Sequence, residues 1–212
     1  GHALGALAVF DTRPRRPRAA TVEALEDLAA LLERELWLKT LAVLDPLTGL
    51  YNRRFFDDYA RREWLRARRE LAPVSVVMFD LDHFGAYNQA LGHDAGDQAL
   101  RAFGKLLRQA PQRGGDVVAR YGGEEFVMVL PRTDAAGAAV VAQRVCARVR
   151  ALELRHPDSS TAPTLTVSAG VATLEKATFE PLEAVLKRAD AALYKAKTGG
   201  RNQVCVAPAL AA

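Results

Sequence analysis

The sequence predicts an α/β or α+β fold in which a mixed sheet is covered by helices. Segments with helical spacing alternate with short β-rich apolar runs along the chain. Two of those runs, 117–120 and 125–130, are separated only by a short stretch around Gly122-Gly123, which suits a tight hairpin turn and makes the sheet more than a parallel one. Half of the 212 residues are hydrophobic and a quarter are charged with both signs interspersed, enough for one full domain and an attachment but hardly for two domains.

In chain order, residues 3–10 read as a short strand followed by a turn at Asp11-Thr12-Arg13-Pro14. Thr21 is a fitting N-cap, and Val22, Leu25, Leu28, Ala29, Leu32 and Leu36 recur at helical spacing with a seam close to a heptad. That seam serves either a dimeric coiled coil or ordinary packing of an amphipathic helix on its own domain. Asp45-Pro46-Leu47-Thr48-Gly49-Leu50 ends the helix, because proline disfavours helix at the residue before it. Helix signals resume over about 53–71, and Val74 to Phe79 is a buried strand delivering Asp80 at its C-terminal end. Helices are expected over about 83–90 and 95–109, then at 135–154 and 182–197, with strands at 165–173 and 203–206.

Composition excludes several classes. No apolar run approaches the ~18 residues of a membrane span, and no basic, apolar and small-residue leader is visible, so neither direct membrane insertion nor secretion is expected. Gly1-His2 reads as a cloning remnant, with the natural N-terminus expected upstream. Cys146 and Cys205 lie outside any CxxC or Cys/His cluster and are expected as reduced thiols of a cytoplasmic protein. The net charge of +4 suits an anionic partner, but the Arg-rich stretches 13–18 and 61–69 lack interleaved aromatics. They read as solvated faces, and nucleic-acid binding is not expected.

Two acidic sites carry the chemistry. Asp80-Leu81-Asp82 follows a buried strand, and Glu124-Glu125 follows Gly122-Gly123. Two carboxylates about 4 Å apart repel by ~4 kcal/mol at an effective dielectric near 20, and a divalent cation between them turns that penalty into ligation. Hard oxygens in an incompletely dehydrated site suit Mg²⁺, with Mn²⁺ as an alternative, particularly where phosphates complete the shell. The glycines leave room for phosphates to approach the backbone. For Asp82 the preferred reading is a cap on the following helix rather than a metal ligand, and His83 and His93 read as packing and turn residues.

Taken in order, Asp80-Leu81-Asp82-His83-Phe84, Asn88, Gly92-His93-xx-Gly96-Asp97 and Arg120-Tyr121-Gly122-Gly123-Glu124-Glu125-Phe126 resemble the GGDEF family of diguanylate cyclases. The resemblance opens at Asp45-Pro46-Leu47-Thr48-Gly49-Leu50-Tyr51-Asn52-Arg53-Arg54, continues through Ser168-Ala169-Gly170, and closes at Ala189-Asp190-xx-Leu193-Tyr194-xx-Lys197-xxx-Arg201-Asn202. It covers about 45–206, leaving 207–212 as a tail, 21–44 as a signalling helix, and 1–20 as a linker or remnant of an upstream sensor. Residues 3–36 faintly resemble the end of a GAF sensor domain. The resemblance implies a nucleotidyl-cyclase or palm-like fold with a central, largely antiparallel sheet.

It also implies roles. Asp80, Glu124 and the backbone carbonyl near Leu81 would hold Mg²⁺. Glu125 would help deprotonate a ribose 3′-hydroxyl, making Asp80, Glu124 and Glu125 the catalytic set for condensing two GTP into cyclic di-GMP. Asn88 and Asp97 would read guanine, whose N1–H and N2–H₂ donors suit a carboxylate and are lacking in adenine; Phe84, Gly122 and Gly123 would border the nucleotide. Lys197 and Arg201 would meet the terminal phosphates, Lys as a point charge and Arg as a fork. Their i, i+4 spacing would share a helical face if the helix persisted, but Gly199-Gly200 is expected to end it first.

Two departures matter: Gly85 stands where many members carry Lys after the Phe, and Gln89 where many carry Asp after the Asn. The first puts one phosphate-side contact in doubt and the second affects local support. Arg113-Gly114-Gly115-Asp116, with Asp116 six positions before Gly122, matches the family's RxxD inhibitory motif and implies a site where cyclic di-GMP binds as product inhibitor. Because the product carries two identical linkages, a homodimer with facing sites is expected. The rivals are a non-catalytic GTP or cyclic di-GMP receptor and a structural dimerisation module.

Overall fold

The computed structural model describes residues 8, 10, 16, 18–110, 113–175 and 180–209, and within 36–42 the backbone only. Most of the 3–10 strand and the 11–14 turn therefore lie outside the described residues. The chain divides into two compact units, 1–43 and 44–212. In the first, helix α1 (Ala19–Val43) starts two residues ahead of the expected Thr21 cap. Its first turn closes instead on the Arg18 carbonyl, which accepts from the N–H groups of Thr21 and Val22. Val22, Leu28, Leu31 and Leu32 of this helix are exposed. No helix among the described residues is long and apolar enough to cross a membrane.

The second unit contains β1 (Tyr51–Asn52), α2 (Arg53–Glu70), β2 (Val74–Leu81), α3 (Phe84–Leu91), α4 (His93–Arg108), β3 (Val117–Arg120) and β4 (Glu125–Pro131). It continues with α5 (Ala135–Arg150), β5 (Val167–Leu174), α6 (Leu182–Thr198) and β6 (Val204–Val206). The sheet order is β1-β3-β4-β2-β5-β6. Its central pairings, β3 with β4, β4 with β2 and β2 with β5, are antiparallel, and the edge strands β1 and β6 join parallel. This is the mixed α+β sheet that the alternation of elements predicts. The two-residue β1 is the strand that reading missed, being too short to show a period of two.

Strand β2 is buried on both faces, which is why it reads as an unbroken apolar run. Val77, Phe79 and Leu81 pack with Phe103, Leu107, Phe126 and Met128. Val74, Val76 and Met78 pack on the other side with Phe56, Trp64, Val185 and Leu193. The strand period of two continues the second set to Asp80, so its carboxylate belongs to the face covered by α2 and α6.

Helix caps follow side-chain chemistry. Asn52 Oδ1 accepts from the Phe55 N–H at 3.0 Å to start α2, and Asp134 Oδ1 accepts from the Gly137 N–H at 2.8 Å to start α5. The expected 135–154 helix ends at Arg150 and the 165–173 strand begins at Val167. Between them the chain pairs with itself, Leu165 N–H donating to the Leu154 carbonyl at 2.7 Å. The β3–β4 connection is longer than a two-residue hairpin: Tyr121 and Gly122 N–H both donate to the Glu125 carbonyl, at 2.8 and 3.2 Å. Neither Gly122 nor Gly123 takes a positive φ. A Cβ at Gly122 would stand 3.1 Å from Glu125 Oε2, so glycine there gives a catalytic-candidate carboxylate space rather than allowing an unusual turn.

Candidate active site

Asp80 and Glu125 are directly opposed in the β2–β4 register, so their side chains share one face of the sheet. Glu124 is joined to the same strand end, its carbonyl accepting from the Leu81 N–H at 3.4 Å. Lys197, near the end of α6, places Nζ 2.7 Å from Asp80 Oδ2. The close lie of α6 over the sheet depends on Gly170 of β5, where a Cβ would collide with the Ala189 carbonyl and the Leu193 N–H.

Burial, opposed by Lys197 and reinforced by Glu124 and Glu125, pushes the Asp80 carboxyl up to about 6. A carboxylate so disfavoured in its charged form is matched to a divalent cation. Among the described residues no group of three or more His, Cys, Asp or Glu side chains gathers as a metal-ligand set. Two carboxylates nevertheless fit Mg²⁺, which keeps several waters and takes phosphate oxygens as ligands.

The same shift has a stability consequence. The folded protein holds the Asp80 proton more tightly than the unfolded chain, whose carboxyl sits near 3.8. The stability this contributes is full below about pH 4 and is lost as pH rises through about 6. In thermal melts without metal, Asp80→Asn is expected to melt level with the parent at pH 4 and above it at pH 8.

Beside the acidic turn lies a cavity of about 220 Å³ lined by Phe84, Asn88, Gly96, Asp97, Gly123 and Glu124, among others. Asn88 Oδ1 is buried without a hydrogen-bond partner, an acceptor lacking a donor. Asp97 is half-buried, its Oδ2 3.7 Å from Arg101 Nη2. A Cβ at Gly96 would run into Asn88 Oδ1, so α3 and α4 meet across a glycine and the amide fills the space a methyl would take. If Asn88 reads guanine, as the family resemblance implies, Gly96→Ala should displace it and weaken GTP binding at least about tenfold, as loss of a buried hydrogen-bonding pair does; equilibrium titration with GTP measures it.

The structure also places the departures and the histidines. Gly85 borders this cavity and a Cβ there would meet nothing within 4 Å, so the missing Lys leaves open space; Gln89 is exposed. His93 borders the cavity at the start of α4. His83 stands just ahead of α3 with φ +55° and its ring within 3.1–3.2 Å of the Ser160 and Thr161 hydroxyls. Its imidazole is held below the usual range, by burial first and then by the nearby Arg201 charge.

Two features went unread. Arg120 donates to both Asp45 carboxylate oxygens at 3.2 Å and to the Gly123 carbonyl at 2.8 and 3.0 Å, tethering the acidic turn to the Asp45–Thr48 motif. Its position immediately ahead of Tyr121-Gly122-Gly123 was the available signal. Asp82 does not cap α3: the residue at the cap is His83, and the Asp82 carboxylate turns inward to Thr166, Ser168 and Asn202. Burial decided this, since Asp82 is 2 % exposed and buried hydroxyls offer it donors. Arg201 and Lys197 do not share a helical face, because α6 ends at Thr198 and Arg201 follows in a left-handed turn.

At the other end of β3, roughly 13 Å along a four-residue strand, Arg113 and Asp116 line a second cavity of about 260 Å³ with Glu63, Arg66, Glu70 and Arg132. The Arg113 N–H donates to Asp116 Oδ2 at 3.1 Å, and its guanidinium donates to the Arg132 carbonyl at 3.0 Å. Tyr59 holds the intervening turn, its hydroxyl donating to the Gly115 carbonyl at 2.6 Å. Cys146 is buried with its thiol pushed up to about 12, and both cysteines are free.

Residues 42–203 match the profile of a family described as diguanylate cyclase, GGDEF domain. The chain belongs to the GGDEF family. Among its relatives, the probable diguanylate cyclase DgcC of Escherichia coli is 38% identical over 177 residues, 84% of this chain and 46% of that protein. The response regulator PleD of Caulobacter vibrioides is 41% identical over 165 residues, 77% of this chain and 36% of that protein. The chain thus spans less than half the length of these relatives. The coiled coil and GGDEF domain of DgcB from Caulobacter crescentus, solved in complex with c-di-GMP, superposes with a TM-score of 0.79 at 32% identity, covering 89% of this chain and 98% of that one. The GGDEF core of the present chain, with its GGEEF signature turn, is also similar to the active GGEEF domain of a diguanylate cyclase from Vibrio cholerae, with a TM-score of 0.66 and 32% identity over 76% of this chain and 99% of that one.

Proposed function

We propose that this GGDEF domain is a diguanylate cyclase that condenses two GTP into cyclic di-GMP and two pyrophosphates. The observation that carries the reading is one cavity bordered by Asn88 and Asp97 on the helices and by Gly123 and Glu124 on the acidic turn. In this reading Asn88 and Asp97 meet the base and Glu124 the phosphate side of one nucleotide, and their sharing of a cavity supports it. The kinship with proteins named as diguanylate cyclases supports it.

In this reading Asp80, Glu124 and the Leu81 carbonyl hold Mg²⁺, or Mn²⁺, which when bound supplies charge neutralisation at the phosphates. Asp97 accepts from guanine N1–H and N2–H₂, and Asn88 Oδ1 gains the donor it lacks. Gly122 and Gly123 let phosphate oxygens approach the backbone, and Phe84 borders the nucleotide. Lys197 exchanges Asp80 for the terminal phosphates, joined by the Arg201 fork. Glu125 takes the proton as O3′ of one GTP bonds to the α-phosphorus of the other, breaking the bond to the bridging oxygen and releasing pyrophosphate. Two facing copies perform this step twice, each supplying the same residues, and the exposed leucines of α1 provide a seam that brings copies together.

Product formation from GTP and Mg²⁺ across a range of protein concentrations tests this. The rate is expected to rise more than linearly with protein and to vanish in a Glu124→Ala/Glu125→Ala variant. Guanine nucleotide bound without turnover at any concentration would point to a receptor instead.

Arg113 and Asp116 are read as a product-binding site, supported by their cavity and the arginines around it. Arg113→Ala is expected to raise the cyclic di-GMP concentration for half-inhibition at least about tenfold, the worth of one charge-assisted fork, with initial rates unchanged. Inhibition curves that superimpose would remove the site from the reading.

A further inference from the structure

Asp82 is the most deeply buried carboxylate among the described residues, at 2 % exposure. Oδ1 accepts from the Ser168 hydroxyl at 2.7 Å; Oδ2 accepts from the Thr166 hydroxyl at 2.7 Å and the Asn202 backbone N–H at 3.0 Å. Its own N–H donates to the Thr166 carbonyl at 2.9 Å. One carboxylate therefore ties the end of β2, the start of β5 and the turn after α6 together.

That turn is left-handed over three successive residues. Gly200, Arg201 and Asn202 take φ of +114°, +63° and +49° in succession. The left-handed region is unfavourable for a side chain such as that of Arg201, less so for asparagine, and a run of such residues persists where surrounding contacts hold it. Arg201 N–H closes the helix end on the Ala196 carbonyl at 2.9 Å, and Asn202 Oδ1 accepts from Arg150 at 2.8 Å. The turn itself reaches the interior through the bond from Asn202 N–H to Asp82, one residue ahead of the Gln203 carbonyl that accepts from the Ala169 N–H at 2.9 Å. Arg201 stands between the two anchors.

We propose that Asp82 is a positioning residue: by holding the Asn202 N–H it fixes the left-handed turn and aims the Arg201 guanidinium at the terminal phosphates, touching neither metal nor nucleotide. The inference rests on the reading of Arg201 as a phosphate ligand.

Acceptor geometry, rather than charge, does this work. Asparagine at 82 still offers an amide oxygen to the Asn202 N–H, while its NH₂ donates to the Ser168 hydroxyl, which turns to accept. Alanine offers neither. A metal ligand or base would fail as Asn and as Ala alike.

The test measures binding by the full chain, with Mg²⁺, of 3′-deoxy-GTP, which lacks the attacking hydroxyl, and of GMP, which lacks the terminal phosphates. Arg201→Ala and Asp82→Ala are each expected to weaken 3′-deoxy-GTP about tenfold, the scale of a charge-assisted hydrogen bond, and to leave GMP within about twofold. The double variant should be no weaker than Arg201→Ala, and Asp82→Asn should stay within about threefold of the parent. Unchanged triphosphate binding by Asp82→Ala beside a loss in Arg201→Ala would overturn the inference and leave the Arg201 reading standing. Unchanged binding by Arg201→Ala would overturn that reading itself. Equal failure of the Asn and Ala variants would show that the charge acts directly and would also overturn the inference. Should Asp82→Ala not fold, Thr166→Val removes one hydroxyl that aims the carboxylate while keeping the side-chain shape. A triphosphate-selective loss is expected from it, and its absence would overturn the proposal.

Discussion

Asp80→Asn is expected to lower cyclic di-GMP formation at least about a hundredfold, the cost of removing a preorganised electrostatic group from a reacting centre. The same variant should be no less stable than the parent at pH 8. Both effects come from one cause. The Asp80 carboxylate is buried at a strand end, opposed across the sheet by Glu125 and close to Glu124, with Lys197 2.7 Å away. In metal-free protein that charge is a burden, which is why its carboxyl is pushed up to about 6. Asparagine removes the burden and the ligand together. Steady-state rates and thermal melts on the same preparation separate the two effects. A fall in rate with an equal fall in melting temperature would mean that the residue is structural, and an unchanged rate would remove it from the catalytic set.

Gly170→Ala is expected to destabilise the domain by about 3 kcal/mol, the upper end of overpacking costs, lowering the melting temperature by roughly 10 °C for a domain of this size. The added Cβ would collide with main-chain atoms of Ala189 and Leu193, and backbone cannot swing aside as a side chain can. The fold could accept the methyl only by lifting α6 from β5. That movement would carry Lys197 away from Asp80, so nucleotide affinity should fall beyond what the stability loss explains. Thermal melts and GTP titration well below the transition measure the two parts. A variant melting within about 2 °C of the parent, less than a 1 kcal/mol change would give, would mean that α6 is not seated as closely as its backbone contacts indicate.

Much of this was legible in the sequence because it is local. The apolar run 74–79 marks a strand buried on both faces, and an acidic residue at its end marks where the chain leaves the core. The β2, β3, β4 and α6 boundaries fall within a residue or two of their expected places. The order of acidic, glycine and basic motifs identified the family, since those residue types recur only at fixed separations.

What the sequence could not carry is pairing across long separations. Asp82, adjacent in sequence to the catalytic candidates, reads locally as a helix cap. Its partners Thr166, Ser168 and Asn202 lie more than 80 positions away, and only folding turns them toward it. Arg120 shows the same limit, its partner Asp45 being 75 positions distant. The signature glycines read in part as a hairpin requirement, yet neither takes a positive φ, and Gly122 instead gives clearance around Glu125.

Composition, period and motif order by themselves determined the fold class, the family and the identity of the acidic and basic groups. The tertiary structure decided which of those groups meet. Strand register placed Glu125 opposite Asp80, close packing at Gly170 seated α6 with Lys197 over them, and burial turned Asp82 from a cap into an anchor. The reason is physical: a residue's type and local period fix what it can do, but its partner and its solvent exposure, which set its energy, exist only once distant segments have packed.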